Sequence, residues 1–135
     1  MLCSGRENAS FFIYGDARVL QPSVCVLLAA HVYSAACQKN FQAFVSQGHT
    51  IILAYPNYWG TMPMAVFTFL ERYDFSGKTI LPLCTNEGSG MGKSERDIEK
   101  LAKGANVKKG LPITGSNANG CKKSVHRWLA ANGLM

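Results

Sequence analysis

From residue 50 onward, short apolar runs alternate with stretches of helical spacing, and this alternation restricts the fold more than any other feature of the chain. Thr50-Ile-Ile-Leu-Ala-Tyr55 is an apolar, β-branched run followed by Pro56 and Asn57, the pattern of a buried strand and its exit turn. Met64 to Tyr73 sets Val66, Phe67, Phe69 and Leu70 at helical spacing, with Asp74-Phe-Ser-Gly77 as the stop. Thr79-Ile-Leu-Pro-Leu-Cys84 is the next strand-like run. Ser94, read as an N-cap with Asp97 three residues on, starts a helix that Gly104 closes. Val107 to Thr114 reads as a last strand interrupted by Pro112. A helix from about Asn117 to Asn132 then turns Val125, Trp128 and Leu129 inward. Strands that alternate with helices pair in parallel and carry helices on both faces, so the expected fold class is α/β, a doubly wound parallel sheet. Ligands of such sheets collect outside the carboxyl ends of the strands, where the direction of winding reverses. The loops at 56–63 and 85–93 are therefore the places to search.

The first 49 residues leave two readings open. Phe11-Phe-Ile-Tyr14 and Val24-Cys-Val-Leu-Leu28 fit strands, followed by a helix from about Ala35 to Val45. Val24, Leu27, Leu28, His31, Val32 and Ala35 equally fit one long helical stripe from Ser23. There is no internal repeat or obvious linker, and 135 residues suffice for one domain with one core.

Composition narrows the class. Lys plus Arg number 14 against 8 Asp plus Glu, and the late excess favours anionic partners. The charges are spread out with no interleaved aromatics, so a nucleic-acid role is not expected. Five cysteines, an odd number without a Cys-x-x-Cys pair, argue against a disulfide framework or a zinc site and fit a reducing, cytoplasmic compartment. The run Val24–Ala30 is too short to span a bilayer, so no membrane association is expected. Ser34-Ala-Ala-Cys37 is faintly similar to a lipoprotein processing site. The long segment before it, with Glu7 and Asp16 and no compact basic start, argues against export.

Gly92-Lys93-Ser94 imitates the end of a phosphate-binding P-loop. The opening glycine of that motif should stand at residue 87, which is Glu87, and Gly88 leaves the loop one residue short. A carboxylate at the mouth of a phosphate nest is also the wrong charge. Ser76-Gly-Lys-Thr79 precedes a strand instead of a helix and reads as a turn. The alternating Gly88, Gly90 and Gly92 still allow positive φ at a strand end and close approach of backbone to a flat or acceptor-rich ligand; a plain mobile loop is the alternative. One strand earlier, Tyr58 and Trp59 are adjacent aromatics in a loop fixed by Pro56, Gly60 and Pro63. Such rings can cover a planar ligand or simply pack over the sheet edge.

Three ordered motifs carry a resemblance to the second half of flavodoxin-like proteins, over roughly residues 50–134. They are Tyr55-Pro-Asn-Tyr-Trp-Gly-Thr-Met-Pro63 continuing to Glu71, Tyr73-Asp-Phe-Ser-Gly-Lys-Thr79, and Cys84-Thr-Asn-Glu-Gly-Ser-Gly-Met-Gly-Lys-Ser94 continuing to Ile98. The flavodoxin sheet, with FMN at its switch point, is a standard example of this architecture. The resemblance implies a flavodoxin-like three-layer sandwich forming a single domain over 1–135, with an atypical part at 1–49. It implies FMN as cofactor, with Pro56, Asn57, Tyr58, Trp59, Gly60 and Thr61 as one wall of the ring site and Thr85, Glu87, Gly88, Ser89 and Gly90 as the other. The chemistry would be the cofactor's, so no catalytic acid, base or nucleophile is expected. His31, His49, His126 and Cys84 read as surface or core residues.

Two departures qualify the resemblance. The phosphate loop is not recognisable: Cys3–Ser10 has suitable residue types but no strand ahead of it, and His31–Ala36 has the location but lacks Gly-Asn. The stretch before Tyr55 is also shorter than the family supplies, so one strand–helix unit is expected to be absent. The basic surface differs from the acidic electron carriers of the family. The expected function is electron transfer by bound FMN to a redox partner protein or small acceptor, in a monomer or homodimer. The alternative is a flavodoxin-like module without FMN that serves interactions or retains no function, and a third reading is an NAD(P)H-dependent quinone or flavin reductase.

Overall fold

The computed structural model describes residues 24–28, as a backbone strand, and 50–134. The expected strand at 11–14, the helix at 35–45 and both phosphate-loop candidates lie outside the described residues. Among these, five strands form one parallel sheet: β1 (Val24–Leu28), β2 (Thr50–Pro56), β3 (Thr79–Asn86), β4 (Asn106–Val107) and β5 (Leu111–Thr114). The helices are α1 (Met64–Arg72), α2 (Ser94–Leu101) and α3 (Lys122–Ala131), the last preceded by a 3-10 turn at Gly115–Gly120. Val24–Leu28 is a strand, which decides between the two readings: it pairs with β2 from Val24 opposite Thr50 to Leu28 opposite Ala54.

β2 and β3 are buried on both faces, as the centre of a parallel sheet must be, and this explains why they read as continuous apolar runs without alternation. Along β2 the period of two is nevertheless present. Ile51, Leu53 and Tyr55 face one core with Val66, Phe69 and Leu70 of α1 and Ile98 of α2, whereas Ile52 faces a second core with Leu81, Leu129 and Leu134 under α3. Among the described residues, two helices on one face and one on the other make the three layers. The strand order β1-β2-β3-β4 runs in one direction, so a reversal of winding is not found among the described residues. The candidate site instead follows from the shared direction of the strands, which brings the carboxyl ends of β2, β3 and β5 together.

The break in the last strand has a different cause from the one expected. Thr79 and Ile80 pair with Asn106 and Val107, and Leu83 pairs with Leu111, so Leu81 and Pro82 face three residues, Lys108 to Gly110. This is a β-bulge with one extra residue. Pro82, in the middle of a central strand, cannot donate to a ladder and sits opposite that bulge, the kind of place where a sheet tolerates proline. Gly110 turns its N–H to Glu95 Oε1 at 2.6 Å, and a Cβ there would run into the Met91 side chain. Pro112, to which the sequence reading gave the break, lies inside β5 opposite Cys84. Ser94 is likewise not a cap. Lys93 holds the N-cap position of α2 without a side-chain bond, and Ser94 is fully buried with its hydroxyl committed to the core.

Candidate functional site

Two loops meet at the carboxyl ends of β2 and β3. The first is a tight turn in which Tyr58 and Thr61 exchange backbone hydrogen bonds of 2.7 and 3.0 Å across Trp59 and Gly60. Trp59 has φ +52° and Gly60 φ +81°, both positive as a type I′ turn requires. Glycine takes this conformation freely; a bulky L-residue does so at a cost of about 1–2 kcal/mol. Trp59 is the one non-glycine with positive φ among the described residues, and it is 100% exposed, so no packing in the described chain repays the strain.

The second loop is organised from below by Asn86, a buried residue absent from the expected site. Its Oδ1 accepts the N–H groups of Gly88 at 2.9 Å and Gly90 at 3.1 Å, and its Nδ2 donates to the Ile113 carbonyl of β5 at 3.3 Å. The amides of Gly88 and Gly90 therefore point at Asn86, and the positive φ of both glycines is what lets the chain wrap around that side chain.

The loops are fastened to each other. Asn57 accepts the Gly60 N–H on Oδ1 at 2.9 Å and donates through Nδ2 to the Gly90 carbonyl at 3.1 Å, while its own N–H reaches the Thr85 carbonyl at 2.7 Å. The Lys93 N–H donates to the Gly60 carbonyl at 2.7 Å. Thr61 Oγ1 donates to Asp97 Oδ2 of α2 at 2.6 Å. Beneath them the Tyr55 hydroxyl donates to Ser94 Oγ at 2.7 Å, and Ser94 Oγ donates onward to the Met91 carbonyl at 2.6 Å. Gly92-Lys93-Ser94 thus serves loop-to-loop contact: the hydroxyl a P-loop would offer to a metal is inside the core.

Between the loops opens a cleft of about 530 Å³ lined by Pro56, Asn57, Trp59, Gly60, Thr85, Asn86, Glu87, Ser89 and Gly115. Seven of the eleven expected residues are on this wall. Tyr58 and Thr61 form the hydrogen-bonded base of the aromatic turn, and Gly88 and Gly90 stand on Asn86. Two lining residues, Asn86 and Gly115, were missed. Gly115 opens the turn after β5, and a Cβ there would strike the Glu87 carboxylate. No group of three or more potential metal ligands occurs among the described residues, nor any helix long and apolar enough to cross a membrane.

Burial pushes the Tyr55 hydroxyl well above the ordinary phenol range and raises the fully buried Cys84 thiol from 9.0 to about 11. Both shifts favour the neutral forms in the folded chain. Their contribution is present below the unfolded pKa of each group and is lost as pH rises through the folded value. Chemical denaturation midpoints should hold through neutral pH and fall between about pH 9 and pH 11. Below that range Cys84 should resist alkylation in the native protein; rapid native labelling at pH 8 would contradict its burial.

The model of the family described as Flavodoxin matches residues 30–132. The chain belongs to the flavodoxin family. The match begins within two residues of the end of β1, so it includes the stretch between β1 and β2 as well as the two loops. Among solved structures, a protein designated a flavoprotein from Bacteroides uniformis is 29% identical, with TM-score 0.51 over 59% of this chain and 51% of its own. A second so designated, from Bacteroides eggerthii, is 24% identical, with TM-score 0.55 over 68% and 55%. A Fusobacterium nucleatum flavodoxin bound to flavin mononucleotide shares the fold at 19% identity, with TM-score 0.55 over 70% of this chain and 76% of its own. The chain spans about half the length of the two Bacteroides proteins. No curated protein sequence matches it significantly.

Proposed function

We propose that this flavodoxin-family chain binds FMN between the two loops and serves as an electron carrier. The observation that carries the reading is Trp59, fully exposed and held in a left-handed conformation on the wall of the cleft. Backbone strain without a packing return is characteristic of ligand-binding positions. A planar ring system supplies the apolar surface that an exposed indole lacks. The opposite wall suits the edge of such a ring. Ser89 offers a hydroxyl, Glu87 a carboxylate that can accept from a ring N–H, and Gly115 leaves room beside it. The ties from Asn57, Lys93 and Thr61 hold the walls at a fixed separation before any ligand arrives, which lowers the ordering cost of binding. Bound FMN would supply the redox chemistry, and the protein residues would orient it and limit its contact with water.

The same residue provides the test. Trp59→Asn replaces a strained residue with one that accepts positive φ before glycine, so apo stability should rise by about 0.5–1 kcal/mol in urea denaturation. FMN affinity, read by quenching of FMN fluorescence at micromolar protein, should fall by about ten- to a hundredfold. The opposite signs separate a ligand-facing tryptophan from a structural one. A wild-type protein that is colourless as isolated and leaves added FMN unquenched would assign the chain instead to a flavodoxin-fold module without cofactor.

A further inference from the structure

The excess of positive over negative charge in this chain lies in one region. Residues 100–135 contain seven Lys or Arg and no Asp or Glu, whereas residues 1–99 contain seven basic and eight acidic residues. The entire net charge of +6 therefore comes from the last quarter of the sequence.

Five of those seven stand on two elements that touch each other. Lys108 and Lys109 are exposed on the bulge of the edge strand, and Lys122, Lys123 and Arg127 are exposed on α3. The two elements are joined where the Trp128 indole N–H donates to the Lys109 carbonyl at 3.1 Å, next to Arg127. Two carboxylates also lie here, Glu95 on the Gly110 N–H of the bulge itself and Glu87 against Gly115, and the five cations outnumber them. Lys122 and Lys123 also open α3, where the helix dipole is positive and the first turn carries no acidic residue. Each such cation works against helix stability by a few tenths of a kcal/mol or more, so local stability does not account for their position. The turn Gly115–Gly120 links this helix directly to the wall of the cleft.

We propose that the face formed by the β4–β5 bulge and the first turns of α3 docks an acidic protein surface beside the cleft. Complementary charge over such a face steers encounter and fixes orientation. A protein partner fits better than the other polyanions. Single-stranded nucleic acid would use exposed aromatics for stacking, and the single aromatic of residues 100–135, Trp128, is partly buried with its N–H engaged; a duplex, which needs only cations for its phosphates, is set apart by the test below. An anionic membrane would use large apolar side chains among the lysines, and the exposed ones among the described residues are Tyr58, Trp59 and Met64, none of them on α3 or the bulge. The inference does not depend on FMN being bound.

The test compares two variants of equal charge in the full chain, with labelled poly-L-glutamate as probe at physiological salt. Lys109→Gln/Lys122→Gln/Lys123→Gln alters the face; Arg72→Gln/Arg96→Gln/Lys100→Gln removes the same charge from exposed positions elsewhere. Fluorescence anisotropy should show at least about a tenfold loss of affinity in the first and less than about threefold in the second. Equal losses would overturn the proposal by reducing the effect to net charge. Stronger wild-type binding to a DNA duplex or to phosphatidylserine vesicles, lost in the same first variant, would overturn it in favour of those partners.

Discussion

Gly92→Ala is expected to destabilise the protein by about 2–4 kcal/mol and to weaken the proposed binding of FMN at the same time, a combined effect no other single methyl group in the site should match. Two costs add at this position. Gly92 has φ +57°, which alanine adopts at about 1–2 kcal/mol. Its new Cβ would also collide with the Gly60 carbonyl, which is backbone and cannot rotate away. That carbonyl is the acceptor for the Lys93 N–H at 2.7 Å, so relieving the clash separates the aromatic turn from the start of α2 and opens the cleft between them. Urea denaturation reads the first effect and FMN fluorescence quenching the second. Gly90→Ala supplies the comparison. Its φ of +61° imposes nearly the same backbone strain, but nothing lies within 4 Å of its Cβ position, so the clash is absent. If both variants lose the same stability, the contact between Gly92 and Gly60 does not hold the loops together.

The fold was legible in the sequence because the central strands of a parallel sheet carry their own signature. Thr50–Tyr55 and Thr79–Cys84 are apolar on both faces, and turn residues at both ends fix their limits to within two residues. Helix α1 was equally clear, since Val66, Phe69 and Leu70 face the core with the period the sequence shows. Single-element signals failed where one element's conformation depends on another. The bulge at 108–110 answers a proline on the neighbouring strand, Pro82, so attention to Pro112 within the strand itself placed the break two residues late. Ser94 has the residue type of a cap, yet its hydroxyl serves Tyr55, a residue 39 positions earlier.

The same distinction divides the site. Aromatic and glycine residues announced both loops, because each type has a conformational or solvation cost that needs a reason. Asn86 announced nothing. Between Thr85 and Glu87 it reads as one more polar residue after a strand, and only the closed loop shows that its side chain replaces backbone partners for two glycine amides. Gly115 was missed for a related reason: it is required by Glu87, which approaches from a different strand end.

Asn86→Ala should therefore have the second large effect, about 2–4 kcal/mol of stability, although it removes no apolar contact and lies outside the expected ring walls. Truncation leaves the Gly88 and Gly90 N–H groups and the Ile113 carbonyl without their partner, and each buried polar group so orphaned costs about 1–3 kcal/mol unless water reaches it. Water can reach the two glycines from the cleft side, which caps the stability loss and shifts the damage to loop order. Amide hydrogen exchange at residues 87–91 should accelerate by about one to two orders of magnitude while the strand amides of β2 change only with global stability. Asn86→Asp discriminates the two halves of the role. It keeps the acceptor for both glycine N–H groups and loses the donor to Ile113, so the loop should stay protected while the tie to β5 is broken. Equal exchange in the Asp and Ala variants would mean that the glycine loop is held by the bond to β5, and that the Oδ1 acceptor does not shape the wall of the cleft.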